Sequence, residues 1–240
     1  MEFAFETLKK ELALMGMEAT DDRISQFRDY YELLLEWNKK MNLTAITELN
    51  EVIQKHFLDS AALGKYCRLN QHLSLADVGS GAGFPGIPLK ILFPELEVIL
   101  MDSVGKRVTF MKEVISQLGL QKIEAVHGRA EDLARAGEYR EKFDFCVSRA
   151  VADLSSLVEY CLPFVKIDGL FVAYKSANVE EEIERAGKAI QLLGGRLDKK
   201  EEFQIPNSSY RRTFLFIQKI HQTKNKYPRK AGTPTKMPLA

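Results

Sequence analysis

Asp77-Val78-Gly79-Ser80-Gly81-Ala82-Gly83-Phe84-Pro85-Gly86 (DVGSGAGFPG, residues 77–86) joins a short apolar run to a helical pattern. In an open α/β sheet, ligands bind beyond the carboxyl ends of the strands, where the chain order reverses. A glycine turn there lets the backbone take positive φ and approach a ligand closely. Two frames fit the stretch. Gly81, Gly83 and Gly86 match GxGxxG, with Asp102 lying 21 residues beyond Gly81, as in a dinucleotide fingerprint. Moving the frame back by two gives an acid-led triplet, Asp77-x-Gly79-x-Gly81-x-Gly83. Position favours the second. The first glycine should follow the strand directly, and that residue is Gly79. Pro85 suits a first helical turn but has no amide hydrogen, which leaves one donor fewer for a pyrophosphate.

Outward from the turn, short apolar runs at Leu75–Val78, Val98–Met101, Ile123–Val126, Phe143–Val147 and Leu170–Tyr174 predict strands. Helical patterns at Ile87–Phe93, Arg107–Leu118, Leu154–Phe164 and Val179–Leu193 alternate with them. That rhythm predicts a mostly parallel sheet covered on both faces. Phe203 and Phe214–Ile217, separated by Pro206-Asn207-Ser208, predict an antiparallel hairpin at its end. Upstream, Phe5, Leu8, Leu12 and Met15, then Ile24, Phe27, Tyr31, Leu34 and Leu35, recur at helical spacing. Thr20-Asp21-Asp22 supplies a start signal for the second helix, and Val52 to Leu63 predicts a third. The predicted organisation is a helical extension over residues 1–70, an α/β domain over 71–220 and a basic tail over 221–240. The tail, with three prolines and few large apolar residues, reads as extended or disordered.

The 240 residues hold 34 Lys+Arg and 33 Asp+Glu, and this near-balance hides an asymmetry. The last acid is Glu202. Residues 1–202 carry 26 basic and 33 acidic groups, a balance of −7, against +8 in the remaining 38. Segregation of this kind suits contact with a polyanion, through Arg211, Arg212, Lys226, Arg229 and Lys230. No uncharged apolar stretch approaches the roughly 18 residues that span a bilayer, so no membrane partner is expected. Cys67, Cys146 and Cys161 are odd in number and lack CxxC spacing, which predicts buried thiols in the cytoplasm. His56, His72, His127 and His221 are scattered without metal spacing, so no metal is expected either.

Asp102, at the tip of the second strand, is placed to accept hydrogen bonds from a ribose diol. His127-Gly128-Arg129-Ala130-Glu131-Asp132 follows the third strand as a polar turn suited to an adenine. Arg149 follows the fourth strand.

Those residues, read with Asp102–Phe110 (DSVGKRVTF), Gly128–Asp132 (GRAED), Ser148–Val151 (SRAV), Glu36–Thr44 (EWNKKMNLT), Lys55–Ser60 (KHFLDS) and Lys226–Gly232 (KYPRKAG), resemble the bacterial 16S ribosomal RNA guanine-N7 methyltransferases, also called the glucose-inhibited division protein B family. The resemblance spans essentially the whole chain. It implies a class I methyltransferase fold, Rossmann-like, with a seven-stranded sheet and an antiparallel last strand, S-adenosylmethionine as methyl donor, and 16S rRNA or the small ribosomal subunit as partner. It places the donor on Gly79, Ser80, Gly81, Phe84, Asp102, Ala130, Glu131 and Arg149. Arg149 also orients the reaction, and a monomer is favoured. Lys230-Ala231-Gly232 departs from the Lys-Pro-Gly common at that place. Guanine N7 carries a lone pair and no proton, so no general base is expected. Three alternatives stay open: the same fold with another acceptor, a nicotinamide-dependent oxidoreductase using the GxGxxG frame, and a binding protein that keeps the donor pocket without transfer. Removal of residues 224–240 is expected to weaken RNA binding and leave donor affinity alone.

Overall fold

The computed structural model describes residues 1–239. The five buried apolar runs become parallel strands β1 (Ser74–Val78), β2 (Glu97–Asp102), β3 (Ile123–His127), β4 (Phe143–Arg149) and β5 (Val165–Ser176). Strands β6 (Gly195–Gln204) and β7 (Arg211–Lys219) complete a seven-stranded sheet of order β3-β2-β1-β4-β5-β7-β6, with β7 antiparallel to both neighbours. The predicted fold class holds. The hairpin is longer than Phe203 suggests, because β6 reaches back to Gly195 through Arg-Leu-Asp-Lys-Lys-Glu-Glu. It is an edge strand whose charges blunt pairing with other chains, so no apolar run announces it.

Side chains of each strand alternate between two cores. Val172, Tyr174, Phe214 and Phe216 enter one, while Phe171, Ala173, Leu215 and Ile217 enter the other. The first core packs under α6 (Gly86–Leu92) and α7 (Gly105–Gln117), the second under α8 (Ala130–Arg135), α9 (Leu154–Cys161) and α10 (Glu180–Leu192). Helix α8 stands where a polar turn is predicted. Its six residues bury only Ala134 and Glu131, too little for a periodic signal.

The N-terminal helices α1 (Glu2–Leu14) and α2 (Asp21–Met41) join the first core. Thr20 caps α2 as predicted, its hydroxyl oxygen accepting the Arg23 N–H at 3.4 Å. Phe27 meets Phe57 at 4.9 Å, and Trp37 meets Phe110 of α7 at 5.7 Å. The next helix begins at α3 (Leu49–Val52), widens into a π-helical stretch over Ile53–Leu58 and continues as α4 (Asp59–Ala61), followed by α5 (Leu63–Tyr66). Widened turns of this kind free backbone carbonyls, often at functional sites. Here the Lys55 carbonyl accepts a hydrogen bond from Arg149, 94 residues away.

The tail overturns the expectation of an extended or disordered segment. Tyr227, Pro228 and Pro234 are buried, and a short helix, α11 (Thr233–Lys236), packs against α9. Arginine side chains take the place of a sheet partner. Arg140 donates to the Thr223 and Tyr227 carbonyls at 2.7 and 3.0 Å, and Arg135 to the Pro228 carbonyl at 3.0 Å. Polar anchoring of this sort leaves no apolar pattern in the sequence. Among the described residues no helix is long and apolar enough to cross a membrane.

Candidate active site

Parallel register brings the functional segments to one edge. Val78 pairs with Met101, Asp77 with Val147 and Asp102 with His127, so the turns after β1, β2, β3 and β4 emerge together. The chain order reverses between β1 and β4, and two clefts open there.

The first cleft, about 520 Å³, is lined by Gly79, Asp102, Ala130, Glu131, Tyr160 and Gly232 among others. Gly79 has φ +74, and a Cβ on it would meet Val151 Cγ2 at 2.5 Å, so the wall can be this thin only with glycine. Asp102, 4% exposed, accepts the Gly81 N–H at 2.9 Å on Oδ2 and the Val104 N–H at 2.8 Å on Oδ1. Glu131, 5% exposed, accepts the Gly232 N–H at 2.9 Å.

Apart from that of Ala82, the amides of the glycine turn are spent within the fold. Gly79 and Ser80 donate to the Met101 carbonyl, Gly83 and Phe84 to the Ser80 carbonyl, Gly81 to Asp102 and Ile87 to the Gly83 carbonyl. Gly86 N–H, at the start of α6, donates to Asp77 Oδ2 at 2.8 Å. A pyrophosphate needs such amides free. The turn therefore fits a phosphate-free nucleoside, admitted by missing side chains and not by donated hydrogen bonds.

Asp77 lies directly under the turn, fully buried, with Oδ1 unpartnered. Burial pushes its carboxyl up to about 7. A raised carboxyl pKa means that the folded state holds the proton more tightly than the unfolded chain. The resulting stability is full below about pH 4 and is lost as pH rises through about 7. Asp77→Asn keeps an acceptor for Gly86 without the charge. Urea unfolding is expected to find the substitution stabilising by a few kcal/mol more at pH 8 than at pH 4; a constant difference across that range would place the proton elsewhere.

The second cleft, about 480 Å³, is lined by Lys55, His56, Asp59, Arg149, Lys175 and Arg212 among others, and shares Ala150 and Ala152 with the first. Ala150 has φ +57, a left-handed conformation that costs an alanine roughly 1–2 kcal/mol and turns the chain between the clefts. Arg149 donates to Asp59 Oδ2 at 2.8 Å and to His56 Nδ1 at 3.2 Å. Arg212 donates to Asp59 Oδ1 at 3.0 Å. A guanidinium only donates, so His56 Nδ1 is the acceptor and Nε2 carries the hydrogen toward Thr44 Oγ1, 3.0 Å away. Burial, reinforced by Arg149, pulls the imidazole down to about 3, and His56 stays neutral.

The sequence-predicted donor residues thus divide. Gly79, Asp102, Ala130 and Glu131 line the first cleft. Ser80 and Gly81 brace it from behind: Ser80 Oγ donates to the Asp77 carbonyl and accepts the Met101 N–H. Phe84 and Arg149 are not among the residues lining that cleft. The Phe84 ring is sandwiched between His56 at 4.4 Å and Tyr30 at 5.3 Å, and Arg149 belongs to the second cleft. Of the expected RNA contacts, Arg211, Lys226 and Lys230 are exposed. Arg212 is paired with Asp59 at 3.0 Å and Arg229 with Glu159 at 2.7 Å. Thr44, His56 and Asp59 had no assigned role. Only their place in the EWNKKMNLT and KHFLDS segments pointed to them.

The pattern of the rRNA small subunit methyltransferase G family matches residues 23–210. The chain belongs to that family. Ribosomal RNA small subunit methyltransferase G of Lachnoclostridium phytofermentans (strain ATCC 700394 / DSM 18823 / ISDg) is 52% identical over 97% of this chain and 96% of its own. The Geobacillus sp. (strain WCH70) methyltransferase G is 48% identical over 98% of each. Among solved structures, a SAM-dependent methyltransferase from Aquifex aeolicus superposes with a TM-score of 0.53 at 16% identity, over 71% of this chain and 93% of that one. M. jannaschii TYW2 in complex with AdoMet superposes with a TM-score of 0.51 at 16% identity, over 66% and 76%. At such identities the likeness is one of fold. The methyltransferase G relatives extend over nearly the full length, both clefts included.

Proposed function

We propose that this protein transfers a methyl group from S-adenosylmethionine to N7 of a guanine in bacterial 16S rRNA, in the cytoplasm. The observation that carries the reading is the pair of clefts meeting at Ala150 and Ala152: one fits a phosphate-free nucleoside, and the other is lined by two arginines and two lysines. S-adenosylmethionine supplies an electrophilic methyl on a sulfonium. Asp102 holds the ribose hydroxyls, and Ala130 and Glu131 flank the base. Gly79 lets the donor lie close to the ends of β1 and β4.

The second cleft supports an acceptor with no proton to remove. His56 has Nδ1 occupied by Arg149, Asp59 has one arginine on each oxygen, and Glu182 is paired with Lys175. Each group able to serve as a base is already committed. Guanine N7 needs none. What remains for the protein is to hold nitrogen, methyl and sulfur in line and to exclude water.

Exposed Lys224, Lys226, Lys230 and Arg211 offer phosphate contacts. Lys226→Ala/Lys230→Ala is expected to weaken rRNA binding uniformly and to lower the salt slope by about 1–2. An unchanged slope in filter binding between 50 and 200 mM salt (about the usual range) would move the RNA surface elsewhere. The cofactor test is calorimetric titration with S-adenosylmethionine and with NAD. Binding of the first alone supports the reading, and binding of NAD alone overturns it in favour of the oxidoreductase.

A further inference from the structure

The end of the chain does more than carry positive charge. Glu159 of α9 is fully buried, and Arg229 satisfies it almost alone: the backbone N–H reaches Oε1 at 2.7 Å, Nε reaches both oxygens at 3.0 and 3.1 Å, and a terminal nitrogen reaches Oε2 at 2.7 Å. A buried carboxylate without its partner costs several kcal/mol, so this contact is a structural commitment of the arginine. The same guanidinium donates to the Met237 carbonyl at 2.7 Å and closes residues 229–237 into a loop. From that loop Gly232 presents its N–H to Glu131, Pro234 accepts from Ser156 Oγ at 2.9 Å and Thr235 meets the Tyr160 hydroxyl at 2.6 Å. Gly232, Thr235 and Pro238 line the same cleft as Gly79 and Asp102.

We propose that Arg229 is a positioning residue of the donor site: its clasp on Glu159 holds the C-terminal segment as the outer wall of the S-adenosylmethionine cleft. The wall is therefore supplied from about 150 residues beyond the glycine turn and stands only while the clasp is closed. The segment then has two faces with separate tasks. Arg229 and Gly232 point inward to Glu159 and Glu131, while Lys226 and Lys230 remain exposed to RNA. Removal of the tail cannot leave donor affinity untouched, contrary to the expectation from charge alone. The inference rests on the reading of that cleft as the donor site.

The test is calorimetric titration of the full-length chain with S-adenosylmethionine, together with steady-state kinetics. Arg229→Ala is expected to raise the donor Kd and KM at least tenfold, with kcat at saturating donor little changed. Arg229→Lys, which keeps the charge but not the fork, falls between. Lys236→Ala, an exposed nearby charge outside the cleft lining, leaves donor Kd within twofold. Because an unpaired Glu159 endangers folding, Glu159→Gln/Arg229→Gln provides a second variant that buries no orphan charge, and it is expected to weaken donor binding likewise. Trypsin should cut after Lys224 or Lys230 faster in these variants than in the parent. Parent-like Kd values in folded Arg229→Ala and in the double variant would overturn the proposal. Failure of the parent itself to bind S-adenosylmethionine would instead overturn the reading of the cleft.

Discussion

Asp59→Ala is expected to destabilise the protein by about 3–5 kcal/mol, which a urea midpoint lower by roughly 1–3 M would register. Asp59 is 1% exposed and takes one arginine on each oxygen, Arg149 at 2.8 Å and Arg212 at 3.0 Å. Its removal leaves two guanidinium groups facing each other across a partly buried gap. The side chains of Arg149 and Arg212 keep 13% and 26% exposure, so some rehydration is available and the lower part of the range is favoured. Asp59→Asn retains one acceptor and is expected to lose about half as much. The loss reaches function because the same carboxylate aligns Arg149 between His56 and the Phe84 ring, which the guanidinium covers at 5.1 Å. Arg149→Ala leaves Asp59 with Arg212 alone and removes the side-chain donor to the Lys55 carbonyl, so a smaller loss of stability than for Asp59→Ala is expected. A loss below about 1 kcal/mol for Asp59→Ala would mean that both arginines turn freely into water, as exposed pairs do.

Asp102→Ala is expected to raise the Kd for S-adenosylmethionine by about 100-fold or more. Two charge-assisted hydrogen bonds to a ribose diol are worth about 1.5–3 kcal/mol each, and about 1.4 kcal/mol is tenfold in affinity. The carboxylate also holds the Gly81 and Val104 amides, so the turn loosens as the diol contact goes. The two contributions separate in Asp102→Asn, which keeps one acceptor and is expected to bind the donor more tightly than the alanine variant. Global stability should fall by only about 1–2 kcal/mol, the scale of one or two lost hydrogen bonds. A Kd within threefold of the parent would remove Asp102 from the donor contacts.

Much of the fold was legible because its strands are buried on both faces, so that Val98–Met101 stands out as an unbroken apolar run and Leu75–Val78 as one interrupted only by Asp77. Strand β6 was legible only at Phe203, since an edge strand of alternating charge has no apolar signature. The glycine turn and Asp102 were legible because their chemistry is local. The Thr44–His56–Arg149–Asp59 cluster was not: Arg149 stands 90 and 93 residues beyond Asp59 and His56, and no short-range pattern links an arginine at the tip of β4 to a π-helical stretch near the N-terminus. The Arg229–Glu159 pair was hidden for the same reason: in a segment without acids Arg229 reads as an anion contact, and Glu159 lies 70 residues upstream inside α9.

The most direct test of the account is to incubate the purified protein with methyl-labelled S-adenosylmethionine and 16S rRNA from small subunits that lack the modification, digest the RNA to nucleosides and separate them. The account predicts that the label co-migrates with 7-methylguanosine. Label in any other nucleoside, or none in RNA from a protein that binds the donor, would contradict it.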